Sequence, residues 1–163
     1  MLFRSAGIGA KGNEGVANNV KQTRGSIGYV EYTYAKQNKL VHTKMVNKAG
    51  KPVDAGAEAF QAAAASADWK SAPGYGVILA NQPGDKSWPM TAATWILLYK
   101  KPEKPADTAE ALKFFAWSYA KGGKAAEDLD YVPMPANVIA DVQKMWSAEI
   151  KDPGGKPLYS PTN

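Results

Sequence analysis

Apolar and polar positions along this chain follow two periods, and each period predicts one kind of element. Apolar residues spaced three and four apart predict amphipathic helices, whereas alternation or a short unbroken apolar run predicts a strand. The pattern predicts helices over residues 13–25, 54–67, 107–121, 124–129 and 138–150, and a helical turn over residues 32–38. It predicts strands over residues 26–31, 40–46 and 94–99, and either a strand or a helical turn over residues 77–80. A mixture of strands and helices without an internal repeat predicts the α/β class.

Polar residues and glycines set the expected ends of the helices. Asn13 is expected to cap the first helix, because its side chain can accept hydrogen bonds from free amides of the first turn. Gly25 is expected to end that helix in a left-handed conformation. Asp54 is the expected N-cap of the second helix, and Asp107 or Thr108 that of the third.

The strongest strand prediction falls on residues 94–99, Thr-Trp-Ile-Leu-Leu-Tyr, which we call the 94–99 segment. An unbroken apolar run is typical of a strand that is covered on both faces. A lysine- and proline-rich linker follows over residues 100–105, and the rest of the chain is strongly helical. The spacing of Trp95, Trp117 and Trp146 predicts that these side chains pack in the core.

Composition and charge narrow the class of protein. The chain has 163 residues, of which 45% are hydrophobic and 21% are charged, which is typical of a globular domain. It has no cysteine, which excludes disulfides and thiol chemistry. The net charge is +5, but the lysines are scattered, so a solvated basic surface is favoured over a nucleic-acid site. No apolar run reaches the length of a membrane span.

Candidate chemical groups are few. His42 is the one histidine and is expected on the surface of a strand, without a catalytic or metal-binding role. Glu127, Asp128 and Asp130 form an acidic cluster that lacks the glycine and closing glutamate of a calcium loop, so a solvated helix end is favoured. Sugar stacking by Trp69 or Trp88 has no further support. The sequence therefore predicts no enzyme, no catalytic residue, no metal site and no cofactor.

Several long strings carry a resemblance to a known family. Gly-Ala-Lys-Gly-Asn-Glu-Gly-Val-Ala at residues 9–17 is followed by Gly-Ser-Ile-Gly-Tyr-Val-Glu-Tyr-Thr-Tyr-Ala-Lys-Gln-Asn at residues 25–38. Together they resemble the C-terminal half of the periplasmic phosphate-binding protein of bacterial ABC phosphate importers, a type II solute-binding protein. Further matching landmarks lie at residues 50–52, 67–69, 88–91, 112–115, 128–131 and 156–159.

The resemblance implies a two-lobed fold of which this chain forms one part, with incomplete sheets flanked by helices. It implies a monomeric periplasmic protein that binds inorganic phosphate and docks on a membrane ABC permease, with no nucleic-acid partner. Residues 1–5 are expected to be a non-native leader, because a common sequencing adapter translates to Leu-Phe-Arg-Ser. The resemblance implies that residues 6–95 form part of the second lobe and that residues 96–105 are a hinge crossing and linker. Residues 106–159 are expected to be a helical return onto the first lobe, and residues 160–163 a tail.

The resemblance also implies that the phosphate ligands, an arginine and a Ser-Gly-Thr cluster among them, precede the glycine-rich loop. No phosphate-contacting residue is therefore assigned in this chain, and Gly9 to Asn13 are expected near the cleft without contact. The chain alone is expected to be poorly stable or to aggregate, and to bind no phosphate tightly. Two alternatives stay open: a fragment of a solute-binding protein for another anion, and an independent basic domain that binds glycan or nucleic acid.

Overall fold

The structure is a computed structural model that describes residues 7–161, so the expected leader at 1–5 and the end of the expected tail lie outside the described residues. The chain divides into two compact units, and the boundary falls between Thr43 and Lys44. Within residues 7–161 no helix is both long and apolar enough to cross a membrane. The helices are α1 Gly12–Gln22, α2 Tyr32–Gln37, α3 Ala57–Ala65, α4 Pro105–Lys121, α5 Gly123–Asp128 and α6 Ala136–Glu149, with a 3-10 turn at Pro73–Tyr75.

Every helix predicted from the sequence is present, but the expected N-caps are wrong. Lys11 is the N-cap of α1, and Asn13 lies inside the first turn. The N-caps of α3 and α4 are Gly56 and Lys104 rather than the expected Asp54, Asp107 or Thr108. In α4 the proline at the first helical position presets the backbone angle and has no N–H to satisfy, which lets the helix begin two residues earlier than predicted.

In the N-terminal unit, residues 26–31 follow α1 and form no strand, which corrects the prediction, since no described segment pairs with them. The backbone N–H of Glu31 instead donates to Asn13 Oδ1 at 2.9 Å. Gly28 lies against the helix so closely that a Cβ atom there would stand 2.9 Å from Val20 Cγ2 and 3.0 Å from Val16 Cγ1. A glycine is therefore needed where this segment crosses the apolar stripe of α1.

The C-terminal unit begins with a short antiparallel hairpin of β1 Met45–Val46 and β2 Pro52–Val53. The strand predicted over residues 40–46 is thus wrong for its first five residues. The hairpin turn is held by Asn47, whose Oδ1 accepts from the N–H groups of Ala49 and Lys51, each at 3.0 Å. The sheet of the described residues has two strands, so the α/β prediction is met only as a mixture of helices with a small sheet.

Alanines of α3 let two tryptophans approach the helix backbone closely. The indole N–H of Trp69 donates to the Ala64 carbonyl oxygen at 2.7 Å, and the Trp88 backbone N–H donates to Ala59 at 3.1 Å. Both carbonyls belong to buried residues, so these bonds satisfy groups that water does not reach. The Trp69 side chain packs with Ala64, Leu79 and Val138 in the first core cluster.

The second core cluster joins α4, α6 and the segment after α6. Leu112 on α4 is fully buried, and Trp146 on α6 is 5% exposed, which confirms the core prediction for that tryptophan. Tyr159 packs edge-on against Trp146 with ring centroids 5.3 Å apart. The Leu158 N–H donates to the Ile150 carbonyl at 3.0 Å, so the chain after α6 folds back onto the helix that it leaves.

The prediction that the 94–99 segment is a strand covered on both faces is wrong for this chain. The segment has no strand partner among residues 7–161, and Leu97 and Tyr99 are 93% and 83% exposed. Trp95 and Trp117, both expected in the core, are 46% and 57% exposed. A strand can be covered on both faces only where other elements supply that cover. Here Leu98 packs against the second core cluster and the ring of Trp95 lies 5.8 Å from that of Trp69, but the other side chains stay open. The alternative of a strand over residues 77–80 is likewise reduced to one antiparallel bridge between Ala80 and Met90.

Candidate functional site

The glycine-rich opening forms an ordinary helix start. Gly12 adopts a φ of +65°, and the first backbone bond of the region runs from the Gly15 N–H to Lys11 at 3.3 Å. Amide groups at a helix N-terminus attract anions, but Glu14 places a carboxylate in the same turn. The absence of phosphate contact at Gly9 to Asn13 stays a prediction.

The groups singled out for chemistry do not come together in a site. His42 is exposed, stands outside any strand, and packs edge-on against Tyr32 at 5.6 Å between ring centroids. Asp128 pairs with Lys124 one helical turn away, as expected for a solvated helix end. Among residues 7–161, no three histidine, aspartate or glutamate side chains are grouped so that they could hold a metal ion.

Two carboxyl groups have a lowered pKa, and each has a local structural cause. A hydrogen bond from Lys86 at 2.5 Å, together with its charge, lowers the pKa of Glu58. Hydrogen bonds from the Ser71 hydroxyl and backbone N–H lower the pKa of Asp68, which closes a turn after α3. These are surface pairs of the kind that fix loops, and neither places a proton donor or acceptor in a cavity.

The most unusual feature of the C-terminal unit is a pair of apolar depressions, one on each side of the 94–99 segment. On one side lies an open groove of about 540 Å³, and on the other a more enclosed cavity of about 130 Å³. Leu97 lines the groove, whereas Ile96 and Leu98 line the cavity. This alternation is that of an extended chain, in which successive side chains point to opposite faces.

The groove carries almost no polar side chains. Its lining comprises Pro73, Gly74, Gly76, Val77, Ile78, Leu79, Thr91, Ala92, Ala93, Trp95 and Leu97. Phosphate recognition in proteins uses charged donors and arrays of hydrogen-bond donors, and Thr91 supplies the one side-chain hydroxyl in this lining. The groove therefore suits an apolar protein segment, and it does not suit a small anion.

A second exposed apolar feature lies on α4. Phe114 and Trp117 stack with ring centroids 6.1 Å apart, and they are 59% and 57% exposed. Single exposed apolar residues are common on protein surfaces, but grouped exposed aromatics mark surfaces that contact another protein segment. Sequence periodicity could not reveal this feature, because it shows that a residue is apolar and not whether a neighbour covers it.

Comparison with known proteins places the chain beside phosphate-binding proteins. No family model matches the chain. The similar curated proteins are named phosphate-binding protein PstS. That of Pasteurella multocida is 54% identical over 153 residues, which is 94% of this chain and 44% of the relative. That of Haemophilus influenzae is 50% identical over 145 residues, 89% of this chain and 43% of the relative. One from Xylella fastidiosa is 45% identical, over 89% of this chain and 40% of the relative.

These similarities confirm the resemblance drawn from the sequence strings: the chain is related to phosphate-binding proteins over most of its own length. The chain spans less than half the length of the curated relatives that it matches. The relatives are named as binding proteins, which supports the prediction that this chain is not an enzyme.

Proposed function

We propose that this chain is part of a phosphate-binding protein that captures inorganic phosphate and delivers it to an ABC importer, without catalysis. The observation that carries the proposal is the identity of 54% and 50% with two proteins named for phosphate binding, over about nine-tenths of this chain. The relatives are more than twice as long as the matched region, so the activity belongs to a longer protein of which these residues form a part.

The fold proposed for that protein has two lobes joined by a hinge, with phosphate bound between them. Residues 6–95 form part of the second lobe, residues 96–105 cross the hinge, and residues 106–159 return onto the first lobe. The exposure of the 94–99 segment and of the Phe114–Trp117 pair supports this division, because apolar side chains at a crossing need cover from both lobes.

The phosphate ligands lie, in this proposal, outside the described residues. A buried phosphate is typically gripped by a bidentate arginine and several hydrogen-bond donors. The sequence contains two arginines, of which Arg24 is exposed after the end of α1 and Arg4 lies outside the described residues. Neither the groove nor the cavity of the C-terminal unit includes a charged side chain in its lining.

The proposed setting is the periplasm, where a monomeric binding protein meets a membrane permease. The lysine excess does not favour nucleic acid, since the charges are scattered along the chain and none of the similar proteins named above is a nucleic-acid-binding protein by name. Rejection of sulfate would follow if a buried carboxylate accepts a proton from phosphate, because fully ionised sulfate leaves that acceptor unpaired.

Calorimetry on the longer gene product and on this chain tests the proposal. The longer protein, purified free of phosphate, is expected to bind inorganic phosphate at micromolar concentration or tighter and to reject sulfate. The chain of 163 residues alone is expected to show no binding at the same concentrations. Tight sulfate binding by the longer protein would favour the alternative anion, and micromolar phosphate binding by this chain alone would overturn the assignment of the ligands to other residues.

A further inference from the structure

The backbone of the 94–99 segment has no partner in the described part of the chain. No backbone hydrogen bond joins residues 92–99 to another residue within 7–161. Three of its side chains are also largely uncovered, since Ile96, Leu97 and Tyr99 are all more than half exposed. An extended apolar segment with unpaired N–H and C=O groups is a template for pairing with another strand.

The composition of the segment favours pairing between chains. It contains β-branched and aromatic residues and has no proline, glycine or charge, which is the signature of short segments that form intermolecular sheets. The uncharged stretch is longer than the segment itself, because no charged residue occurs between Lys86 and Lys100. A second copy of this chain therefore offers a partner of the same neutral, apolar chemistry.

We propose that two copies of this chain associate by antiparallel pairing of their 94–99 segments. A two-fold axis between identical antiparallel strands sets one residue opposite itself. With that axis at Leu97, Ile96 of one copy lies opposite Leu98 of the second copy, and Trp95 lies opposite Tyr99. The faces of the segment are unequal, since Leu98 packs in the second core cluster whereas Leu97 is open to the groove. Pairing uses the backbone N–H and C=O groups at the edge of the segment, so it leaves the packing of the Leu98 side chain in place.

Charge selects the antiparallel arrangement over a parallel one. Parallel pairing in register would set Lys100 and Lys101 beside the same lysines of the second copy, and like charges directly opposite are destabilising. Antiparallel pairing about Leu97 sets those lysines opposite Thr94 and Ala93 instead. The net charge of +5 on each copy still opposes the encounter, so salt is expected to strengthen the association by screening it.

One strand pair makes a weak interface. A stable protein interface buries about 1,600 Å² in total, and two six-residue segments bury less than that. The association is therefore expected to depend on concentration. It is a property of this chain on its own, because the longer protein proposed above would cover the segment. A failure of one proposal leaves the other intact.

Sedimentation velocity over a concentration series tests the association. The wild-type chain is expected to sediment faster as its concentration rises, and more so at high salt. Leu97→Lys is expected to weaken the association at least tenfold, since it puts a charge into the pair at a side chain that is 93% exposed. Val41→Lys is the matched control, because Val41 is 99% exposed in the N-terminal unit. A monomer at every concentration, or equal effects of the two substitutions, would overturn the proposal.

Cross-linking tests the orientation, and the chain has no cysteine to interfere. In the proposed arrangement, positions 95 and 99 of different copies face each other about 4.5–5.5 Å apart between Cβ atoms. A short bifunctional thiol reagent is therefore expected to link a mixture of Trp95→Cys and Tyr99→Cys chains, and to link neither variant with itself. Linking of each variant with itself indicates parallel pairing and contradicts the proposal, as does the absence of any link in the mixture.

Discussion

The side-chain amide of Asn47 donates to the Gly84 carbonyl oxygen at 3.0 Å, across 37 positions of the sequence. A second bond from the same nitrogen reaches the Asp85 carbonyl at 2.8 Å. Because Asn47 is only 5% exposed, one buried side chain joins the hairpin turn to the loop that precedes Trp88. The isolated bridge between Ala80 and Met90 closes this loop at its ends, and the bonds of Asn47 fix its middle.

Replacing Asn47 with alanine is expected to lower the free energy of unfolding by about 2–3 kcal/mol, because four hydrogen bonds of one buried side chain are lost. Urea unfolding followed by tryptophan fluorescence measures the change. Asn18→Ala is the control, since Asn18 is exposed on α1 and accepts one bond from Gln22; its effect is expected to stay within about 0.5 kcal/mol. Equal effects of the two substitutions would show that the bonds of Asn47 do not hold the loop.

Trp69→Phe is expected to cost about 1–2 kcal/mol of stability. The phenyl ring keeps much of the apolar contact but cannot donate to the Ala64 carbonyl, which the indole N–H reaches at 2.7 Å. Urea unfolding, monitored by far-UV circular dichroism because a fluorophore is removed, measures the cost. Trp117→Phe is the matched control, because Trp117 is 57% exposed, and we expect it to be nearly neutral. A neutral Trp69→Phe would contradict the role given to the indole N–H.

Gly28→Ala is expected to destabilise the N-terminal unit by about 1–3 kcal/mol, as overpacking does. The added methyl would stand within 3.0 Å of Val16 and Val20, whose branched side chains have little freedom to move. Hydrogen exchange of the α1 amides measures the loss.

A second substitution makes the Gly28 test specific. Val20→Ala removes one of the colliding groups, so the pair Gly28→Ala and Val20→Ala is expected to be more stable than the sum of the single effects predicts. Gly56→Ala serves as the control, because a Cβ at Gly56 meets no atom within 4 Å and its φ of 171° is extended backbone. Additive effects at Gly28 and Val20 would argue against the contact.

The pair formed by Glu58 and Lys86 is expected to make stability depend weakly on pH. The hydrogen bond and charge of Lys86 hold the pKa of Glu58 below its usual value of 4.5. The stability that the ionised Glu58 contributes is therefore present above about pH 4.5 and is lost as the pH falls through the lowered pKa. The hydrogen bond and charge of Glu58 raise the pKa of Lys86 above 10.5. The stability that the charged Lys86 contributes is therefore lost only as the pH rises through the raised pKa. Lys86→Gln is expected to return the Glu58 pKa towards 4.5 in an NMR titration, and an unchanged Glu58 pKa would contradict the pairing.

The helices could be predicted from the sequence because their signals are local. The apolar spacing of α4 and α6, the glycines at 122 and 123, and the prolines around Met134 act within a few residues of the elements that they bound. The expected caps failed because Asn13, Asp54 and Asp107 have other positions or partners: Asn13 accepts from Glu31, and Asp54 pairs with Lys44 at 3.1 Å. Capping depends on the direction in which the chain enters a helix, and residue type alone does not specify that direction.

The sequence by itself determined the order of the helices and the relation to phosphate-binding proteins, which rests on long strings at residues 9–17 and 25–38. Only the tertiary structure decided which apolar residues are covered. Trp146 and Trp95 carry the same hydrophobic signal, yet one packs between α4 and Tyr159 and the other is 46% exposed. The physical reason is that a side chain is buried only when a second surface covers it. The sequence of the 94–99 segment shows that the segment is apolar, but it does not show whether another element packs against it.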